Sequence, residues 1–168
     1  AGVREAAAAH TDAEIVLVGK SMGSRIGVKV ANELCASSDA ADRRLAERIV
    51  CCVCFGYPLN PDAANAAERR AAVIDSAKPV LFLQGTRDKL CPLDALRTCL
   101  KNNPNTFIFP VNTGDHSLNI LKSHTKNTGE TQAIVDGTLL KEIALFVAAR
   151  RGDRRVAAAS TLGGSSSG

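Results

Sequence analysis

No stretch of this 168-residue chain gathers the roughly 20 apolar side chains that a helix needs to cross a bilayer. Its first residues also lack the charged-then-apolar layout of a secretory signal. A membrane role is therefore not expected, and the cytoplasm or nucleus is the expected compartment. Histidine is scarce: the three present, at positions 10, 116 and 124, are too scattered to set a metal-ligand spacing. The simplest expectation is chemistry without a metal or cofactor. Nor is charge concentrated, because the net charge is +4 and Arg43, Arg44, Arg48, Arg69 and Arg70 alternate with Asp and Glu. That pattern is a solvated helix face, which argues against nucleic acid as a direct partner. The six cysteines lack the spacing of a disulfide framework or a zinc site, and free thiols are expected. Three of them, Cys51, Cys52 and Cys54, lie in an apolar run, where alternation sends Cys52 and Cys54 to one face and Cys51 to the other.

What is present is a globular composition, 45% hydrophobic and 23% charged, suited to one domain with one core. There is no internal repeat. Short apolar runs at 15–18, 49–55, 80–83 and 106–109, each bounded by Gly, Pro or Asn, read as buried strands. Between them the period changes. Ile26, Val30 and Leu34 recur every fourth residue, and Pro92 opens a segment that runs towards Leu100. Val135, Leu139, Ile143 and Phe146 share one helical stripe, weakened at its middle by Gly137, and residues 1–10 read as the last turns of a helix. Alternating strands and helices demand crossover connections, and these produce a parallel sheet. The expected fold is α/β, a parallel sheet of about four strands with helices on both faces, occupying residues 1–150. Beyond Arg151 the sequence holds almost nothing to bury, so 151–168 is expected to be a disordered tail.

Gly19-Lys20-Ser21-Met22-Gly23 follows the first run directly and leads into a helical stretch from Ser24. A glycine-flanked serine between strand and helix is the context of a nucleophile elbow. The need is steric: the serine sits on a tight turn in a strained conformation, and Gly19 and Gly23 give the turn room to close. Gly27 and Ala31 are then expected to let the helix approach the strand. The turn also sets the amide of Met22 at a helix amino terminus, where a developing oxyanion would be received. By itself the string is a weak signal, equally readable as an ordinary strand-to-helix loop. A phosphate loop is excluded, because Glu14 stands where its first glycine is required.

Two further loops raise the specificity. The third run ends in Gln84-Gly85-Thr86-Arg87-Asp88 and the fourth in Asn112-Thr113-Gly114-Asp115-His116. Both lie beyond the carboxy ends of strands that run parallel, the edge where such sheets build their sites. Serine, acid and histidine thus follow in the order Ser21, Asp88, His116. Imidazole, with an ordinary pKa of about 6.5, is suited to accept the serine proton, and a carboxylate holds the required tautomer. Asp115 is the rival acid, but adjacent side chains in a loop usually diverge, so Asp88 is preferred. For His116 the bland alternative is a turn histidine, while His10 and His124 lie in surface-like segments. Cys91 near Asp88 reads as packing at a helix start in preference to a redox group. Arg87 either anchors its loop or meets an anionic substrate.

Gly19-Lys20-Ser21-Met22-Gly23-Ser24-Arg25, Gly56-Tyr57-Pro58-Leu59, the segment from Pro79 to Asp88, and Gly114-Asp115-His116-Ser117 together resemble the testis-expressed protein 30 family. That family includes the hydrolase-like domain of subunit 3 of the NSL histone acetyltransferase complex and is similar to dienelactone hydrolases. The resemblance extends over about residues 14–148. It implies a partial α/β-hydrolase fold, with Ser21 as nucleophile, Asp88 as acid, His116 as base, and Tyr57 and Pro58 in a loop that meets a small-molecule ester, thioester or lactone. It also implies an earlier segment carrying a His-Gly-Ala-Gly type loop, a second oxyanion donor that this sequence does not contain. The chain is therefore expected to be the carboxy-terminal part of a hydrolase domain, weak alone, with a sheet edge that a protein partner could cover. The alternative function is a non-catalytic interaction module in a larger complex, chromatin-associated in the resembling subunit.

Overall fold

Each apolar run becomes a strand of one sheet in the computed structural model, which describes residues 2–60 and 62–163, with side chains followed as far as Asp153. The strands are β1 (Ile15–Lys20), β2 (Ile49–Phe55), β3 (Val80–Gly85) and β4 (Thr106–Val111), in the spatial order β1-β2-β3-β4. All neighbours are parallel. Ladder pairing carries β3 and β4 past their apolar runs, to Gln84 opposite Pro110 and Gly85 opposite Val111. β1 and β4 are the edges of this sheet.

Around it run α1 (Gly2–Ala9), α2 (Met22–Ala36), α3 (Ala40–Arg48), α4 (Ala66–Ile74), α5 (Leu93–Leu100), α6 (Lys122–Thr128) and α7 (Gln132–Gly163). Asp39 starts α3 by accepting hydrogen bonds from the amides of Ala41 (2.8 Å) and Asp42 (3.0 Å), which would otherwise be orphaned at the helix end. Helices α1 to α5 pack on one sheet face through Ala7, Val28, Ala31, Leu45, Val73 and Leu96, against Cys52, Cys54, Val80 and Phe82. The opposite face, with Val53, Leu81 and Leu83, is covered by Val135 and Leu139 of α7, with Ile143 and Phe146 alongside. Covered twice, β2 and the Val80–Leu83 run of β3 can be apolar on both faces, which is why their sequences do not alternate. Burying a side chain such as Phe82 or Leu83 contributes about 1.5–3 kcal/mol.

Three details differ from the periodicity reading. The buried stripe of α2 is Ser24, Val28, Ala31 and Leu34, while Ile26 is 48% exposed. Helix α2 lies on the sheet by the face that carries Val28, and its Ile26 and Val30 line a groove with Val3 of α1 instead. Gly27 is not required for close approach, because a Cβ there would sit 3.8 Å from Leu17, an ordinary contact. Helix α7 continues through Gly163 and so takes in part of the stretch expected to form a tail; the remainder, 164–168, lies outside the described residues. Among the described residues, no helix is long and apolar enough to cross a membrane.

Candidate active site

The carboxy ends of the parallel strands all point to one edge of the sheet, so the loops leaving β1, β2, β3 and β4 meet there. Ser21 occupies the single-residue turn between β1 and α2 with φ +50° and ψ −118°, a conformation that side-chain-bearing residues rarely adopt. Its amide donates to the Phe55 carbonyl (2.9 Å), and its own carbonyl accepts from the amide (3.0 Å) and hydroxyl (2.6 Å) of Ser24. These bonds hold the strained turn from both sides. Gly19 is required here, since a Cβ on it would lie 2.3 Å from the Gly23 carbonyl carbon. Gly23 is not: a Cβ on it meets nothing within 4 Å. The sequence expectation that both glycines make room is thus correct for the first only. Met22 opens α2, placing its amide at the helix amino terminus, while its side chain is 64% exposed.

Asp88 and His116 come to this turn from the other two loops. His116 Nε2 lies 2.8 Å from Ser21 Oγ, and His116 Nδ1 lies 2.8 Å from Asp88 Oδ2. A carboxylate only accepts, so Nδ1 carries the ring proton and Nε2 is left to accept from the serine hydroxyl. Exposure is graded along the relay: the Asp88 side chain is fully buried and the His116 ring 24% exposed. Such a line of groups can draw a proton from the hydroxyl and stabilise the imidazolium that results. A cleft between α4 and α5 is lined by none of the three.

Asp115 does not compete with Asp88. Its Oδ1 accepts from the amides of Ser117 (2.8 Å) and Asn119 (3.0 Å), shaping the loop that presents His116. Burial works to raise its pKa, but these amide bonds outweigh it and hold the carboxyl below the ordinary aspartate value. Arg87 anchors its loop: Nε donates to the Thr113 carbonyl (2.8 Å) and its amide to the Gly114 carbonyl (2.9 Å), tying the acid loop to the histidine loop. Cys91 is fully buried and burial pushes its thiol up to about 12, which fits packing and not redox chemistry at ordinary pH.

Tyr57 and Pro58 are both buried. The Tyr57 ring packs edge-on against Phe82 at 5.6 Å, and its hydroxyl donates to the Arg69 carbonyl (3.0 Å), while Arg69 in turn donates to the Pro58 carbonyl (2.9 Å). These contacts hold the loop after β2 against α4. The residue of that loop that does meet the site is Gly56, at φ +59°, whose α-carbon leaves just enough room for the His116 backbone. Gln84, which the motif reading passed over, touches the relay directly: its Nε2 donates to Asp88 Oδ2 at 2.6 Å. The available signal was a lone amide in an otherwise apolar central strand.

No curated protein sequence matches the chain. Among solved structures, an alpha-beta serine hydrolase homologue from Coxiella burnetii is 17% identical, covering 69% of this chain and 47% of its own, with a TM-score of 0.51. Esterase 2 of Thermogutta terrifontis, phosphonylated by cyclosarin, is 16% identical, covering 80% of this chain and 53% of its own, with a TM-score of 0.54. The chain thus spans about half the length of these solved proteins, with which it shares the fold. The profile of the alpha/beta hydrolase domain matches residues 2–147. A match over residues 2–147 spans most of the chain, which therefore belongs to the alpha/beta hydrolase domain family.

Proposed function

We propose that residues 1–150 form the part of a serine hydrolase domain that carries nucleophile, acid and base, and that its substrate is a small carboxylic ester, thioester or lactone. One observation supports this reading above the others: the unbroken Ser21–His116–Asp88 relay, with both links at 2.8 Å. In the first step Ser21 Oγ attacks the carbonyl carbon as His116 Nε2 takes the hydroxyl proton. The oxyanion is received by the Met22 amide at the start of α2. Collapse of the tetrahedral adduct expels the alcohol or thiol, which takes the proton from His116 and leaves an acyl group on Ser21. Water then attacks that ester with His116 again as base, releasing the carboxylic acid and the free serine. Asp88 orients the ring through Nδ1 and offsets its positive charge in both halves.

Within the family, the four motifs that end at Arg25, Leu59, Asp88 and Ser117 favour the testis-expressed protein 30 group. A second reading, an interaction module, draws support from the exposure of Val18 (63%) and Met22 (64%) beside the open edge of β1, where a protein partner would find an unpaired strand. Reaction with a fluorophosphonate probe decides between them. The hydrolase reading expects stoichiometric labelling that disappears in Ser21→Ala; an unlabelled native chain refutes it, and a labelled monodisperse monomer contradicts the module.

A further inference from the structure

We infer that Gln84 is a positioning residue for the Asp88–His116 pair, its buried amide setting where the carboxylate sits and how its charge is shared. The inference rests on the hydrolase reading of Ser21, which it deepens.

Gln84 is wholly buried in β3, a strand whose every residue is buried. Its neighbours fix the orientation of its amide. The Tyr57 backbone N–H needs an acceptor and finds Oε1 at 3.2 Å, so Nε2 faces Asp88 Oδ2 at 2.6 Å and the Cys91 carbonyl at 3.3 Å. Turned over, the amide would set oxygen against the Asp88 carboxylate and the Cys91 carbonyl and nitrogen against the Tyr57 N–H, three like contacts in a dry core. The side chain therefore ties together the loop after β2, the acid itself and the start of α5. An apolar residue in its place would leave the Tyr57 amide and one flank of Asp88 without partners.

On Asp88, Oδ1 accepts from the Leu90 amide (2.8 Å), while Oδ2 serves both Gln84 Nε2 (2.6 Å) and His116 Nδ1 (2.8 Å). Two donors on one oxygen divide its charge and fix the direction from which the imidazole is held. Without Gln84 the carboxyl keeps the Leu90 amide on Oδ1 but loses its brace beside Oδ2, which then gives its whole charge to the ring proton.

Gln84→Met, close in volume and devoid of donors, tests this beside Val73→Ala, an equally buried core change on α4 with no contact to the relay. Two readouts apply: kcat and KM with p-nitrophenyl acetate, and the downfield proton resonance of His116 Nδ1–H. Gln84→Met is expected to lower kcat about ten- to a hundred-fold with KM unchanged and to move the resonance further downfield. Val73→Ala is expected to lose stability but neither property. The inference is overturned if the native resonance persists unmoved in Gln84→Met with kcat intact, or if Val73→Ala reproduces both effects. A native chain that shows the resonance but no Ser21-dependent turnover defeats the hydrolase reading instead, and the shift in Gln84→Met still decides the role of Gln84. A native chain without the resonance overturns the pairing and the inference with it.

Discussion

Replacing Gly56 with alanine should damage the site far more than the fold, and Gly129 provides the comparison. Both glycines have positive φ, +59° and +77°. At either position an alanine costs about 1–2 kcal/mol for the left-handed backbone alone. They differ in what surrounds the new methyl group. At Gly129, which ends α6, there is nothing within 4 Å; at Gly56 the Cβ would sit 2.4 Å from the His116 carbonyl oxygen and 3.3 Å from Nδ1. Ordinary contact begins at 3.4 Å, so the His116 backbone must retreat by about 1 Å. Gly56 has little freedom to yield, since its amide is held by the Leu83 carbonyl at 3.0 Å. A retreat of that size breaks one or both of the 2.8 Å bonds of the imidazole, and a misplacement of about 1 Å costs roughly a hundred-fold in rate. Second-order labelling by a fluorophosphonate and urea unfolding followed by circular dichroism measure the two effects; fluorescence is a poor probe in a chain with one tyrosine and no tryptophan. Gly56→Ala is expected to label about a hundred-fold more slowly, whereas Gly129→Ala should lose about 1–2 kcal/mol of stability and keep its rate. Equal labelling rates in the two variants would refute the claim that Gly56 makes room for the histidine.

Two further outcomes follow from the ionisable groups. Because the Ser117 and Asn119 amides hold the Asp115 pKa below its ordinary 3.8, this aspartate supports the histidine loop fully above that value and loses its effect as the pH falls through the lowered one. The protection of the Ser117 and Asn119 amides from hydrogen exchange, taken against the unfolded-chain rate at each pH, should therefore fall on acidification below about 3.8, and Asp115→Asn should flatten that dependence. Among the cysteines, burial pushes Cys51 up to about 11 and Cys52 and Cys91 up to about 12, and holds Cys54 well above the ordinary thiol value. Iodoacetamide at pH about 8 should modify the partly exposed Cys35 and Cys99 first and the other four only on unfolding; mass mapping that finds Cys91 modified in the native chain would contradict the packing described.

The order of chemistry along the chain was legible without coordinates. Apolar runs bounded by breakers located every strand to within two residues at its carboxy end, and β2 without error, because a doubly covered strand must be apolar on both sides. The alternation of Cys52 and Cys54 against Cys51 also follows from the pleat alone, and Cys52 and Cys54 do lie together in the core under α2 to α5. Motif context then selected Ser21, Asp88 and His116, since a parallel sheet presents the ends of all its strands at one edge. Contacts that depend on how far one layer slides over another were not legible: the face by which α2 lies on the sheet, the burial of Tyr57 and Pro58, and the need for glycine at 19 and 56 but not at 23 or 27.

By itself, then, the sequence determined the layer architecture and nominated Ser21, Asp88 and His116 as candidates for one site, because local periodicity and residue chemistry act over a few neighbours. Only the tertiary structure decided that the relay closes at 2.8 Å on both sides and that a buried amide, Gln84, holds its acid. Those distances are set by packing between segments 28 and 95 residues apart, and no short-range pattern encodes them.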